Sequence, residues 1–109
     1  MGQNRTHSLE EVRTRALGVI RKGWTIAQAE VPELARMELE PETDQDRLIV
    51  SIGIKRTDDT KLTIGIDIDR AGDFQAEFPG EVVRGGNVFR DDCDESLASI
   101  IFKATTATK

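Results

Sequence analysis

The chain has 109 residues, a formal net charge of −5 and a charged fraction of 32%. This length accommodates one domain, and a chain with that charge lacks the concentrated positive field that binding to a nucleic-acid backbone requires. Apolar residues make up 38%, which is too many for a disordered chain and too few for a membrane protein. We therefore expect one soluble domain over residues 1–109 that binds neither nucleic acid nor membranes.

Cysteine content and apolar runs bear on the compartment. The single cysteine, Cys93, has no second cysteine in the chain to form a disulfide with, and residues 1–6 lack the apolar stretch of roughly 7–15 residues found in secretory signals. The longest apolar runs, 48–50 and 100–102, are far shorter than the roughly 18 residues of a transmembrane helix. These features predict a cytoplasmic protein.

The first predicted element is a helix over about residues 9–22, after a flexible start over 1–7. Ser8 and Glu11 have the S-x-x-E spacing of a capping box. Apolar residues follow at helical intervals, at Leu9, Val12, Ala16, Val19 and Ile20. Gly23 is then predicted to end the helix in the left-handed position that favours glycine.

The segment from Trp24 to Glu40 has an ambiguous periodicity. A short helix opening at Pro32 is one interpretation, whereas the alternation of residues 37–40 is typical of a strand. We predict strands near 24–29 and 35–40. The acidic residues 41–46 are then predicted to form a solvated loop.

Two runs of alternating aliphatic residues are the clearest strand signal. They consist of Leu48, Val50, Ile52 and Ile54, followed by Leu62, Ile64, Ile66 and Ile68. With a turn at residues 57–60, they predict a hairpin with one aliphatic face. We predict that Ile54 pairs with Ile64, because this register keeps the aliphatic residues together and avoids a repulsive pair between Lys55 and Lys61.

The rest of the chain predicts further strands and a second helix. Alternation in residues 74–78 indicates a strand, and residues 81–91 form either a small hairpin or an irregular loop. Asp92 and Glu95 repeat the capping-box spacing ahead of an apolar pattern that predicts a helix over about 93–104.

The order of these elements predicts the fold class. An N-terminal helix, an antiparallel meander of about four to five strands and a C-terminal helix form a two-layer α+β domain, with the helices on the aliphatic face of the sheet. Residues 105–109 are expected to fray.

An acidic segment resembles the start of a calcium-binding loop. Asp67, Asp69 and Asp73 have the alternation of such a loop, and Gly72 suits its turn. However, Phe78 stands where the bidentate glutamate belongs, and both flanks are predicted strands. We therefore predict no metal site and interpret the acids as outward-facing strand and turn residues.

Cys93 and His7 are the remaining candidates for chemistry. Four acids surround the cysteine in the sequence, and their charge opposes formation of a reactive thiolate. The histidine precedes the first helix and is interpreted as a residue that packs on Val12. We predict no catalytic residue and no cofactor.

Residues 84–90 are the first candidate binding region. They combine a flexible backbone, an aromatic ring and two guanidinium groups, a mixture found in recognition loops. The candidate contact residues are Arg84, Gly85, Gly86, Phe89 and Arg90. An ordinary connection between elements is the alternative interpretation.

Gly53 and Gly65 form the second candidate binding region. Glycine weakens a strand, so its presence in two strands calls for a reason. The predicted register places the two glycines side by side on the face away from the core, where a second subunit or another partner can approach closely. A bulge or a relief of strand twist is the alternative.

The leading functional hypothesis is a non-catalytic protein-interaction module, such as a regulatory, adaptor or chaperone-like protein, that forms a homodimer or binds another protein. An enzyme is disfavoured because the chain has one histidine and no tyrosine. Two alternatives stay open: a ligand-binding cup lined by Trp24, Phe74 and Phe78, and a small enzyme that uses carboxylates such as Asp67 and Asp69. An aromatic cavity would favour the cup, and a filled core with an exposed apolar patch would favour the interaction module.

Overall fold

The computed structural model describes residues 7–79 and 81–107. In chain order these residues form helix α1 (Leu9–Glu30), strands β1 (Leu34–Asp44), β2 (Arg47–Arg56), β3 (Lys61–Ile68), β4 (Asp73–Phe78) and β5 (Glu81–Asn87), and helix α2 (Cys93–Ala107). The strands form one antiparallel sheet in the order β1-β2-β3-β4-β5. This arrangement confirms the predicted α+β fold. The expectations for residues 1–6, 108 and 109 lie outside the described residues.

Both ends of α1 have clear local causes. At its start, the Ser8 hydroxyl accepts a hydrogen bond from the Glu11 N–H and the Glu11 carboxylate accepts one from the Ser8 N–H, both at 3.1 Å. This is the predicted capping box. At its end, the Val31 N–H donates to the Ala27 carbonyl at 2.9 Å, and Pro32 follows, which favours the end of a helix.

α1 continues past Gly23 to Glu30, so the predicted helix end at Gly23 and the predicted strand over 24–29 are wrong. Gly23 is buried where α1 packs against α2. A Cβ added at this glycine would lie 2.8 Å from Leu97 Cβ and 3.0 Å from the Asp94 carbonyl oxygen. Glycine therefore serves the close approach of two helices rather than a left-handed helix end.

β1 contains the predicted strand over 35–40 but continues to Asp44. The predicted acidic loop over 41–46 is therefore wrong. β1 closes on β2 through a tight turn in which Gln45 has a φ of 56°. Pro41 is tolerated within the strand because β1 lies at the edge of the sheet.

β2 and β3 form the predicted hairpin, but in a different register. Ile54 pairs with Leu62 and not with Ile64, so Lys55 lies directly opposite Lys61. The aliphatic residues still share one face because the shift is by an even number of residues. The predicted register is wrong, and the lysine pair that it was meant to avoid is present.

The turn between β2 and β3 explains this register. The Arg56 N–H donates to the Thr60 carbonyl at 2.9 Å, which leaves a short loop whose last residue, Asp59, has a φ of 70°. The Asp58 carboxylate accepts hydrogen bonds from the Thr60 hydroxyl at 2.6 Å and the Thr60 N–H at 3.0 Å. A tight hairpin loop of this kind sets the pairing of the strands that it joins, and it outweighs the repulsion between two exposed lysines.

The C-terminal half of the chain adds two strands and α2. β4 confirms the strand predicted over 74–78, and residues 81–87 form a strand rather than a hairpin or a loop. The pairing of β4 with β5 shifts between Phe74 and Gln75. α2 begins at Cys93 as predicted and extends past residue 104 to Ala107.

Both helices pack on one face of the sheet, and no described element covers the opposite face, which we call the outer face. The buried face carries the aliphatic residues of β2 and β3 and the two rings of β4. Neither helix of the described residues is long and apolar enough to cross a membrane.

A buried guanidinium ties the sheet to the end of α2. Arg56 is 6% exposed, and it donates one hydrogen bond to the Thr60 hydroxyl at 3.0 Å and another to the Thr105 carbonyl at 3.3 Å. A positive charge at the carboxyl end of a helix is favourable because of the helix dipole.

Candidate interaction surface

Gly53 and Gly65 both lie on the outer face, but they do not lie opposite each other. Gly53 lies opposite Thr63 and Gly65 lies opposite Ser51. The two glycines are therefore diagonal neighbours, and the predicted side-by-side placement is wrong. In place of one shared notch, a groove of about 230 Å³ adjoins Gly53 and another of about 170 Å³ adjoins Gly65.

Each of these glycines has open space where a side chain would lie. An added Cβ at Gly53 would have only the Glu38 carbonyl oxygen within 4 Å, at 3.9 Å, and one at Gly65 would have only the Glu77 carbonyl oxygen, also at 3.9 Å. Neither glycine has a positive φ. The fold therefore accepts other residues at both positions, although glycine weakens each strand.

We call the groove beside Gly53 the basic groove. Its side chains come from β1, β2 and β3 and include Arg36, Glu38, Lys55, Lys61 and Thr63. Lys55 lies opposite Arg36 on one side and opposite Lys61 on the other. The sequence reasoning missed this cluster, because it rejected the register that brings the two lysines together.

A larger groove of about 410 Å³ lies at the other end of the outer face. Arg47 donates a hydrogen bond to Asp67 at 2.6 Å, and the bond and the charge of this carboxylate raise the pKa of Arg47. The Asp69 carboxylate accepts hydrogen bonds from two backbone N–H groups of the following turn, at 2.9 and 3.0 Å. Both carboxylates therefore accept hydrogen bonds from other groups of the fold.

The predicted contact residues at 84–90 lie on more than one surface. Arg84 and Gly86 both line the larger groove on the outer face. Gly85 lies against the ring of Phe74, where an added Cβ would overlap the ring atoms. Gly86 has a φ of 120°, a backbone conformation that favours glycine.

Asn87 explains why this segment folds as it does. Its side-chain amide donates to the Ala71 carbonyl at 2.8 Å and to the Asp73 carboxylate at 3.0 Å. Its side-chain oxygen accepts a hydrogen bond from the Phe89 N–H at 2.8 Å. The Gly-Gly-Asn stretch therefore joins the end of β5 to the turn before β4.

Phe89 and Arg90 lie beyond β5, beside the start of α1. The Phe89 ring stacks on His7, with the ring centroids 3.9 Å apart, a contact that the sequence did not reveal. Arg90 forms an exposed ion pair with Asp92 at 3.5 Å. Of the predicted binding residues, Gly53, Gly65, Arg84 and Gly86 line grooves on the outer face. Phe89 and Arg90 lie away from this face.

Cys93 is buried at the start of α2, with 2% of its surface exposed. Burial raises the pKa of its thiol to about 11; Asp92 and Asp94 add to this shift, and Arg15 opposes it. Burial is thus a larger cause than the acidic neighbours that the sequence suggested. Because the pKa is raised in the folded state, the thiol's contribution to stability is present below the ordinary pKa of 9.0 and is lost as the pH rises through about 11.

We expect iodoacetamide to alkylate Cys93 more slowly than it alkylates free cysteine at pH 8, because the thiolate is scarce and the sulfur is buried. Mass spectrometry of timed samples measures the rate. The control is the same protein in guanidinium chloride, where the rate should rise to that of free cysteine. Equal rates in folded and unfolded protein would contradict the buried thiol.

Within residues 7–79 and 81–107, no three His, Cys, Asp or Glu side chains are grouped so that they could hold a metal ion. Comparison with known proteins found no significant match to this chain among family models, curated sequences or solved structures.

Proposed function

We propose that this protein is a non-catalytic protein-interaction module that binds its partner through the outer face of the sheet. The observation that carries this proposal is the placement of Gly53 and Gly65. Each occupies an ordinary strand position with open space above it, so the fold gains nothing from glycine there. Close approach of another chain is what a missing side chain permits.

The edges of the sheet are less suited to binding a partner than its outer face. The edge strand β1 carries Pro41, exposed glutamates and an irregular register near its start, all of which discourage strand addition. In the other edge strand, β5, the register shifts opposite Phe74 and Gln75, and Gly86 has a φ of 120°, irregularities that also discourage strand addition. The uncovered face therefore supports the proposal better than either edge.

The contact that we propose is polar. Among the described residues, Val82 is the large hydrophobic side chain that stands exposed, at 56%, so these residues do not form the exposed apolar patch that would have favoured an interaction module. Interfaces that form and dissociate have about the same polarity as the rest of a protein surface. A partner that dissociates, rather than a permanent subunit, fits this face best.

The two alternative functions have less support. A ligand cup would need a cavity among Trp24, Phe74 and Phe78, but the two phenylalanines are 5% and 4% exposed and pack in the core. A carboxylate enzyme would need Asp67 and Asp69 to be available for proton transfer, and both accept structural hydrogen bonds.

The test replaces Gly53 and Gly65 by valine, singly and together. Each substitution is expected to raise the free energy of unfolding by roughly 0.5–1 kcal/mol, because valine favours strands and the space is open. The same substitutions are expected to reduce capture of the partner by immobilised protein from an extract of the native cells. Chemical denaturation and quantitative mass spectrometry measure the two effects.

Gly18→Val is the matched control, because Gly18 is an exposed glycine on α1, away from the sheet, with no atom within 4 Å of an added Cβ. This variant should retain the partner that the double valine variant loses. Equal capture by all variants would place the contact elsewhere and refute the proposal.

Sedimentation of the purified protein tests the predicted homodimer, since a second copy that uses this face would separate in the double valine variant.

A further inference from the structure

We propose that the basic groove receives the side-chain carboxylates of a short acidic segment presented by the partner. This inference rests on the proposed function, because it specifies what the partner brings to one end of the outer face. Three cations, Arg36, Lys55 and Lys61, and one acid, Glu38, line this groove, so its charge is positive in a chain whose net charge is −5.

The arrangement of charges in the groove lowers the stability of the sheet. Lys55 lies directly opposite Lys61, and like charges at such a position destabilise a sheet. Lys55 pairs with Asp59 at 3.3 Å, but the Asp59 side chain is 86% exposed. An ion pair this exposed contributes little, so the lysine can exchange Asp59 for a carboxylate of the partner.

The other two cations in the groove are also available to bind a carboxylate of the partner. Arg36 pairs with Glu38 at 3.3 Å, and the two side chains are 69% and 70% exposed. Within the described part of the chain, Lys61 forms no ion pair. Of the three positive charges in the groove, two belong to exposed ion pairs, and the third, on Lys61, has no ion pair among residues 7–79 and 81–107.

Gly53 lies in the same groove, so two features that weaken the sheet coincide there. Gly53 is one of the residues that line this open groove of about 230 Å³, and the exposed residue Thr63 lies directly across from it. A carboxylate that enters the groove therefore meets two ammonium groups, a hydroxyl donor and the Arg36 guanidinium, for which it competes with Glu38. The facing lysines and the missing side chain at Gly53 both become favourable once an acidic segment fills the groove.

A carboxylate fits the groove better than a phosphate. Phosphate sites are commonly built from free backbone N–H groups at a helix N-terminus or in a nest, whereas these cations stand on strands that pair with each other. A long polyanion such as a nucleic acid would also meet Glu40 and Glu42, which continue along the outer face of β1. These acids limit the bound segment to a short one.

The experiment titrates ¹⁵N-labelled protein with a hexaglutamate peptide and follows the backbone amide signals. We expect saturable shifts centred on Gly53, Lys61 and Thr63 that weaken as sodium chloride is added. Replacing Lys55 and Lys61 together by glutamine should weaken binding roughly tenfold, the combined effect of losing two exposed ion pairs. Replacing Arg21 and Lys22, two exposed cations on α1, by glutamine removes the same two positive charges, and this control variant should bind like the unmodified protein.

The glutamine variants are expected to fold, because they relieve the repulsion between the lysines, and their melting temperatures check this. Inorganic phosphate at matched ionic strength is the second probe. Saturable phosphate binding without peptide binding would overturn the inference and indicate a small-anion site. Peptide-induced shifts that survive the double substitution would also overturn it, because the two lysines would then not be needed for binding. If the peptide does not bind while the valine variants still lose their partner, the inference fails and the proposed function stands.

Discussion

Replacing Gly23 by valine is expected to lower the free energy of unfolding by about 3 kcal/mol, at the upper end of the cost of overpacking a core. The Cβ alone would lie 2.8 Å from Leu97 Cβ and 3.0 Å from the Asp94 carbonyl oxygen. The carbonyl belongs to the backbone of α2, so the two helices would have to separate. Thermal and guanidinium unfolding, followed by circular dichroism, measure the loss.

Gly18→Val makes the same change five positions earlier in the same helix, where an added Cβ has nothing within 4 Å. Its effect should stay within about 0.5 kcal/mol, because glycine and valine differ modestly in helix propensity. Equal stability of the two variants would contradict the close packing of α1 on α2 at Gly23.

Replacing Gly85 by alanine is expected to cost roughly 2–4 kcal/mol, because the new methyl group would overlap the ring of Phe74, which is 5% exposed in the core. Gly65→Ala is the matched control on another strand, with 3.9 Å to the nearest atom, and it should be neutral or slightly stabilising. Denaturation curves compare the two.

A double-mutant cycle separates a clash with Phe74 from a general weakening of β5. If the ring is the cause, Gly85→Ala should cost less in a Phe74→Leu background than in the unmodified protein, because contacting residues are coupled. Additive effects would show that the phenylalanine ring is not what excludes a side chain at position 85.

Features that depend on neighbouring residues were predictable from the sequence. The capping box at Ser8 and Glu11 and the alternation in β2, β3 and β4 specify local geometry, and the order of elements then specifies a two-layer fold. One prediction that failed was a choice between two physical roles of one residue. Gly23 suits both a helix end and a helix crossing, and only the position of α2 decides between them.

The candidate surface was predictable in part, for the same reason. Alternation placed Gly53 and Gly65 on the outer face, but their relation depends on a register that the turn at Asp58 and Asp59 sets. The sequence-based register was chosen to keep Lys55 and Lys61 apart, and it ignored the preference of that turn. It therefore did not predict the cluster of cations around Lys61. The composition of residues 84–90 could not show that Gly85 lies against the ring of the core residue Phe74.

The direct packing of α1 on α2 also has a consequence for how this chain is made. Gly23 and Leu97 meet in the folded protein although roughly 70 residues separate them, so α1 is synthesised some 4–15 s before its partner at about 5–20 residues per second. During that interval the apolar stripe of α1 lacks the helix that covers it. Contacts this distant in sequence slow folding, and α1 reaches its final packing only when α2 has emerged from the ribosome.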